Sequence, residues 1–206
     1  MPQPEPALPP RNEKELSREM LISILNYFST LIPVHFNGRP VRLIVHGGAC
    51  MLLHTQLIQL ANQQPPMAMG SLHAPDAQLP KRRSTRDVDI IKRSFVTEWQ
   101  QAGVQDAADR LQNCINITAR QFGLGLDWMN SDADVALPMS NDPSTGAQYD
   151  PIYQAAVQPN NLDLHTIFES DNKMLKLISV TPFWAVALKL VRYTKWDPGD
   201  ICILLR

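Results

Sequence analysis

A short apolar run that ends at a pair of glycines is the clearest break in the hydrophobic pattern of this chain. Residues 41–46 are mostly aliphatic, and after Gly47 and Gly48 the apolar positions of residues 49–61 recur at helical spacing. This pattern predicts a strand, a tight turn and a helix. Glycines let the backbone approach an anion closely, and the first amides of a helix point toward it, so the turn is a candidate phosphate-binding site.

A second apolar run carries two carboxylates at alternate positions. Asp87 and Asp89 stand two residues apart among Val88, Ile90 and Ile91. On a strand both carboxylates leave one face, while Val88 and Ile90 turn toward the core. Because two such close carboxylates repel each other, they are typical of sites where a divalent cation accepts oxygens from both.

Helical spacing recurs in three further segments. The first is predicted to begin at Asn12, whose spacing to Glu15 is that of a capping box. The second covers residues 95–122 and is expected to be irregular near Gly103. The third covers residues 182–196 and begins with a proline, which suits a first helical turn.

The segment between the second and third of these helices favours short strands. Residues 149–180 suit two or three strands, and residues 162–167 alternate apolar with polar positions. This alternation predicts that Asp163 and His165 share one face of a strand. Residues 197–200 have the composition of a turn.

Composition indicates an ordinary globular protein of 206 residues, 44% hydrophobic and 19% charged. The net charge of −1 provides no general attraction for nucleic acid, so a polynucleotide would need a local basic patch. No apolar run is long enough to predict a membrane span. The three cysteines lie far apart and suggest neither a disulfide framework nor a zinc site. We therefore expect an intracellular protein of the cytoplasm or nucleus.

Two segments depart from globular composition. Residues 1–11 hold five of the 17 prolines and predict a disordered tail, which leaves residues 12–206 as a single domain. Residues 62–83 lack periodicity and are interpreted as a flexible insertion. The insertion ends in three cations at residues 81–83, which join Arg86 and the cations at residues 92–93 around the two aspartates. These cations form either a solvated flank or a contact surface for a triphosphate or RNA backbone.

The order of the glycine pair and the Asp-hydrophobic-Asp run resembles the pattern of the nucleotidyltransferase superfamily. Two later segments are similar to a subgroup that includes bacterial abortive-infection-type nucleotidyltransferase toxins. The matching segments are residues 47–48, 87–89, 123–130, 135–138, 182–192 and 195–201.

The resemblance implies an α+β domain with a small mixed sheet flanked by helices. It implies transfer of a nucleoside monophosphate from a nucleoside triphosphate to an acceptor hydroxyl. Asp87 and Asp89 would then hold Mg²⁺ or Mn²⁺ as catalytic and metal-binding residues, while Gly47 and Gly48 would bind the phosphates. Members of this superfamily often have a third catalytic carboxylate on a later strand, and Asp163 is its candidate here, with an exposed edge-strand acid as the alternative.

Cations from two segments complete the expected nucleotide-binding set. Arg86 precedes the aspartate pair, and Lys189 and Arg192 lie on one stripe of the last predicted helix. Lys189 and Arg192 would neutralise the leaving pyrophosphate. Arg192 has a structural alternative, an ion pair with Asp197 or Asp200. The resemblance also implies that one of these two acids faces the site.

The sequence leaves the acceptor open among RNA, protein and small molecules. His46, beside the glycines, is either a general base or a structural residue at a strand end. A non-catalytic nucleotide-binding or interaction module that keeps the fold is the main alternative to an enzyme. A scaffold that binds partners through the proline-rich tail and the insertion is a third interpretation.

Overall fold

A five-stranded mixed sheet with helices packed on both faces forms the body of the protein. The structure is a computed structural model that describes residues 8–63 and 82–206, with the backbone but not the side chain of Arg192. The helices are α1 (Arg18–His35), α2 (Gly48–Leu53), α3 (Thr55–Gln63), α4 (Lys92–Gln101), α5 (Ala107–Phe122), a 3₁₀ helix (Asp132–Ala136), α6 (Pro151–Ala156), α7 (Pro159–His165), α8 (Pro182–Arg192) and α9 (Asp197–Leu204). The strands are β1 (Val41–His46), β2 (Val88–Ile90), β3 (Met129–Asn130), β4 (Ser140–Asn141), β5 (Gln148–Tyr149), β6 (Thr166–Glu169) and β7 (Leu175–Ser179).

Strand β1 lies at the centre of the sheet, whose order is β3-β2-β1-β7-β6. It runs parallel to β7 and antiparallel to β2, and its register pairs His46 with Asp89. Helices α4 and α5 form the crossover from β2 to its parallel neighbour β3. The predicted α+β class, with a small mixed sheet flanked by helices, is confirmed.

Alternation along β1 divides the core into two hydrophobic clusters. Val41, Leu43 and Val45 pack into a large cluster that includes residues of α1 and α5, whereas Ile44 packs into a smaller one with residues of α6 and α8. Both faces of β1 are therefore buried, which fixes its register and the position of the glycine turn at its end.

The N-terminal helix begins later than predicted. Ser17 caps α1 by accepting a hydrogen bond from the backbone N–H of Met20, so the predicted capping box at Asn12 is wrong. The Asn12 side chain instead accepts from the Gly125 N–H and donates to the Arg86 carbonyl. Asn12 therefore connects the segment before α1 to the segment before Asp87.

The strand predicted over residues 162–167 is also wrong in its first part. Pro159 opens α7, which continues to His165, and β6 begins only at Thr166. The buried Asn161 side chain holds α7 in place by donating to the carbonyls of Ala156 and Ser179. Asp163 consequently lies on an exposed helix and not on a strand.

The C-terminal part consists of two helices where one helix and a turn were predicted. Helix α8 ends at Arg192 because Tyr193 adopts a left-handed conformation with φ of 41°. Residues 197–200, predicted as a turn, instead form the start of α9. The single helix predicted over residues 95–122 is wrong, because α4 and α5 are separate helices, and Gly103, with φ of 88°, lies in the break between them.

The predicted tail and insertion lie only partly within the described residues. Residues 1–7 and 64–81 are outside them. Residues 8–11, predicted to be disordered, contact the domain, because the Pro9 carbonyl accepts from the Leu126 N–H and Leu8 packs on the core. Across the described ranges, no helix is both long and apolar enough to cross a membrane.

Candidate functional site

The first glycine of the pair makes room for a carboxylate. Gly47 has φ of 77° and ψ of −149°, a backbone conformation that is essentially restricted to glycine. A Cβ atom placed on Gly47 would stand 2.3 Å from Asp89 Oδ2. Asp89, only 8% exposed, therefore packs directly against the turn that follows β1.

The second glycine makes room for a hydroxyl and a guanidinium. A Cβ atom on Gly48 would stand 2.5 Å from Thr85 Oγ1 and 2.7 Å from Arg82 Nη1. The Thr85 hydroxyl in turn donates to Asp87, with 3.2 Å to its carbonyl oxygen and 3.4 Å to its carboxylate Oδ1. Asp89 thus contacts the glycine turn directly, and Asp87 is connected to it through Thr85.

A buried group of four charged residues adjoins this turn, and we call it the ionic quartet: Arg82, Lys189, Asp197 and Asp200. Arg82 donates from Nε and Nη2 to Asp200 Oδ2, at 3.0 and 2.9 Å. Lys189 Nζ lies 2.7 Å from the same oxygen and 3.4 Å from Asp197 Oδ1. Lys189 is 4% exposed, Asp197 0% and Asp200 2%. The quartet therefore joins the segment before β2 to α8 and α9.

The types of ligand atom at the turn suit a hard divalent cation. Asp87 and Asp89 provide carboxylates beside the Thr85 hydroxyl and the two glycines. Carboxylate and hydroxyl oxygens are the donors that Mg²⁺ prefers.

The protein alone offers an incomplete set of metal ligands. Within residues 8–63 and 82–206, no three His, Cys, Asp or Glu side chains are grouped so that they could hold a metal ion. This fits Mg²⁺, which is commonly held by one or two carboxylates together with waters and substrate phosphates. It does not fit a structural zinc site, which takes four protein ligands.

An apolar cavity of about 350 Å³ opens beside Gly47. His46 and Lys189 contribute its polar groups, and its other walls come from the 3₁₀ helix, the segment after it and α8, including Trp184. A larger cavity of about 470 Å³ surrounds Arg42, Glu98 and Tyr153 but includes none of the motif residues. Proximity to the glycine turn, and not size, therefore identifies the smaller cavity as part of the candidate site.

The structure brings together only some of the predicted site residues. Gly47, Gly48, Asp87 and Asp89 lie at one turn, and the quartet that contains Lys189, Asp197 and Asp200 adjoins it.

Arg86 and Asp163 are not part of that arrangement. Arg86 is exposed and pairs with Glu15 at 3.3 Å. Asp163 is exposed on α7 and does not join the aspartate pair in a metal-binding group. The side chain of Arg192 lies outside the described part of the chain.

Arg82 is the residue whose individual role the sequence did not reveal. It is one of three consecutive cations at the end of the aperiodic segment, and nothing in that run distinguishes it from Arg83. Only the contacts of the folded structure distinguish Arg82, because its guanidinium lies beside Gly48 and donates to Asp200. The other flanking cation, Arg93, is structural: it pairs with Asp150 at 2.7 Å and donates to carbonyls of residues 134–138.

Two histidines lie at the far end of α2. His54 Nε2 is 2.9 Å from His165 Nδ1, and this contact joins the end of α2 to the end of α7. Burial lowers the pKa of both imidazoles below 6.5, and for His54 the charge on a protonated His165 lowers the pKa further. Neutral imidazoles suit this contact, since one must donate a proton and the other accept it.

The histidine pair predicts that the protein loses stability as the pH falls. Because the folded-state pKa values of His54 and His165 lie below 6.5, the unfolded chain binds more protons in this range. The stabilising contribution is fully present above pH 6.5 and declines as the pH drops through that value. Urea unfolding between pH 7.5 and about 5.5 should show a shallower pH dependence in His54→Phe/His165→Phe than in the unmodified protein.

Comparison of variants is needed because another group acts in the opposite direction. Burial raises the pKa of Asp134, although the N–H groups of Arg93 and Lys92 oppose this by donating to its carboxylate. Its protonation therefore favours the folded state at low pH. An unchanged slope in the double variant would contradict the prediction.

Replacement Gly47→Ala is expected to destabilise the protein by about 3 kcal/mol or more, since it adds a contact with Asp89 to the cost of a strained backbone. Gly146→Ala is the matched control: it has φ of 71° but no atom within 4 Å of the added Cβ. Chemical unfolding of both variants measures a difference that combines the Asp89 contact with the strain specific to the Gly47 backbone. Equal losses would contradict the prediction.

Comparison of the chain with family models, curated proteins and solved structures found no match.

Proposed function

We propose that the protein is a metal-dependent nucleotidyltransferase that moves a nucleoside monophosphate from a nucleoside triphosphate to an acceptor hydroxyl. The observation that carries the proposal is the contact of both motifs at one turn. Asp89 fills the space over Gly47, and Asp87 reaches Gly48 through Thr85. Two motifs 40 residues apart in sequence thus form one arrangement of carboxylates, hydroxyl and glycine backbone.

Each residue of the candidate site has a separate role in the proposed reaction. Asp87 and Asp89 would hold Mg²⁺ or Mn²⁺, which when bound supplies positive charge for the triphosphate and its displaced pyrophosphate. Gly47 and Gly48 let the phosphates approach the backbone without a side chain between them. The cavity beside Gly47 is lined mainly by apolar groups and has room for the base and ribose of the nucleotide. His46 lines that cavity as a candidate base for the acceptor hydroxyl.

The test combines binding with transfer. We expect calorimetry to show binding of nucleoside triphosphates that requires Mg²⁺ and that Asp87→Ala/Asp89→Ala loses. Ca²⁺ in place of Mg²⁺ should preserve binding but not turnover. Incubation with α-³²P-labelled triphosphates and total RNA or protein identifies the acceptor class. Absence of metal-dependent binding in the unmodified protein would overturn the proposal.

A nucleotide-binding module without turnover is the second candidate. Two observations favour this candidate. Asp163 does not supply the expected third carboxylate at the aspartate pair. Lys189, which was expected to neutralise pyrophosphate, is already paired with Asp197 and Asp200. The same experiment separates the candidates. Metal-dependent binding without label transfer to either acceptor pool supports the module.

A further inference from the structure

We infer that Arg82 is the residue that binds the pyrophosphate portion of the nucleotide, a role that depends on the proposed function. The resemblance to nucleotidyltransferases directed attention to Lys189 and Arg192 on α8. The contacts of the structure instead place the Arg82 guanidinium at the glycine turn. Phosphate recognition is thereby assigned to Arg82, five positions before Asp87, and not to Lys189.

The first argument is the fixed position of the guanidinium. Arg82 Nε and Nη2 both donate to Asp200 Oδ2, so the plane of the group is held from one side. Nη1 lies on the other branch, 2.7 Å from the Cβ position of Gly48. The Trp196 ring, with its centroid 5.7 Å from Arg82 Cζ, adds a further support. A guanidinium held in this way loses little conformational freedom when it binds an anion.

The second argument is the different environment of Lys189. Its ammonium lies between Asp197 and Asp200 and is 4% exposed. An ammonium shared by two buried carboxylates is held as a structural counter-charge, and moving it toward a ligand would leave those carboxylates unbalanced. Within the quartet Arg82 donates to Asp200, and Lys189 already offsets part of the charge of that carboxylate. Lys189 is therefore a positioning residue that acts through Asp200.

The third argument is the charge of the ligand. A pyrophosphate group carries several negative charges and binds most favourably where a cation lies beside the glycine backbone. A guanidinium matches phosphate oxygens with two parallel N–H bonds. Arg82 stands at this place, on the Gly48 side of the turn, while the cavity opens on the Gly47 side.

The test uses inorganic pyrophosphate with Mg²⁺ as the probe, measured by calorimetry on the full chain. We expect Arg82→Gln to weaken pyrophosphate binding tenfold or more, because a charge-assisted pair of hydrogen bonds is lost. Arg82→Lys should give an intermediate loss, since an ammonium keeps the charge but not the fork. The matched control is Arg120→Gln, which removes an exposed arginine on α5 and should change affinity less than twofold.

A second variant protects the test from loss of folding. Arg82→Gln leaves Asp200 with less compensation, whereas Arg82→Gln/Asp200→Asn removes both members of the pair and leaves Lys189 with Asp197. Circular dichroism and the unfolding midpoint establish that this double variant is folded. Tenfold weaker binding in the folded double variant supports the inference.

Two results overturn the inference: pyrophosphate affinity of the double variant equal to that of the unmodified protein, or no pyrophosphate binding by the unmodified protein. Failure of the proposed function gives a different result. In that case the unmodified protein shows no transfer and no metal-dependent nucleotide binding. The comparison of pyrophosphate affinity between the unmodified protein and the Arg82 variants still tests the role of Arg82.

Discussion

Replacement Asp89→Asn reduces nucleotidyl transfer by a factor on the order of 10²–10³ if the aspartate pair holds the metal, because it removes a charge that acts on the developing transition state. Asparagine keeps the shape of the side chain, so the close contact with Gly47 is retained. Transfer of α-³²P label and the Kd for the nucleotide are measured together. We expect the affinity measured with Mg²⁺ to fall along with the rate, since the same carboxylate serves both.

The matched control for this prediction is Asp109→Asn, which neutralises an exposed aspartate on α5. It should leave both transfer and affinity within about twofold of the unmodified protein, as expected for a surface substitution. If Asp89→Asn is folded and transfers label at the original rate, Asp89 is not a metal ligand. The glycine turn would then have to be explained by packing alone.

Replacement Lys189→Met is expected to lower the free energy of unfolding by about 3–5 kcal/mol, since it leaves buried carboxylates without their counter-charge. Asp197 is fully buried and Asp200 nearly so, and Lys189 Nζ contacts both. Methionine keeps an unbranched apolar chain, so the decrease in the free energy of unfolding comes mainly from removal of the positive charge. Urea unfolding at neutral pH measures it.

Lys176→Met provides the same substitution in an exposed ion pair. Lys176 lies 3.0 Å from Glu169 Oε1, and its side chain is 51% exposed, so its loss should cost less than about 1 kcal/mol. A similar cost for both variants would show that the buried pairs contribute no more than a surface pair. Lys189 would then be available for a direct role with the ligand.

Local sequence signals were sufficient for the first part of the candidate site. The apolar run before Gly47 and the alternation around Asp89 each predicted a strand, and the structure pairs β1 with β2 so that His46 lies opposite Asp89. Both patterns depend on side-chain period and glycine conformation, which act over a few residues. The close approach of Asp89 to Gly47 is a feature of the structure that these local patterns did not predict.

The remaining parts depend on contacts that local patterns do not encode. Arg82 and Asp200 are 118 residues apart, so neither the role of Arg82 nor the pairing of Lys189 follows from spacing. The strand predicted around Asp163 was wrong because its alternation also fits a short helix opened by Pro159 and held by the buried Asn161. The break between α8 and α9 depends on the left-handed Tyr193, a residue with no strong preference for that conformation.

The ionic quartet also limits how this sequence can change during evolution. The charges of the quartet compensate one another inside the protein. A substitution that removes one of these charges therefore produces a destabilised variant. Loss of one positive and one negative charge together avoids that destabilisation. We therefore expect descendants of this sequence to retain the four residues together or to exchange them in charge-balanced pairs, even though they lie in segments more than 100 residues apart.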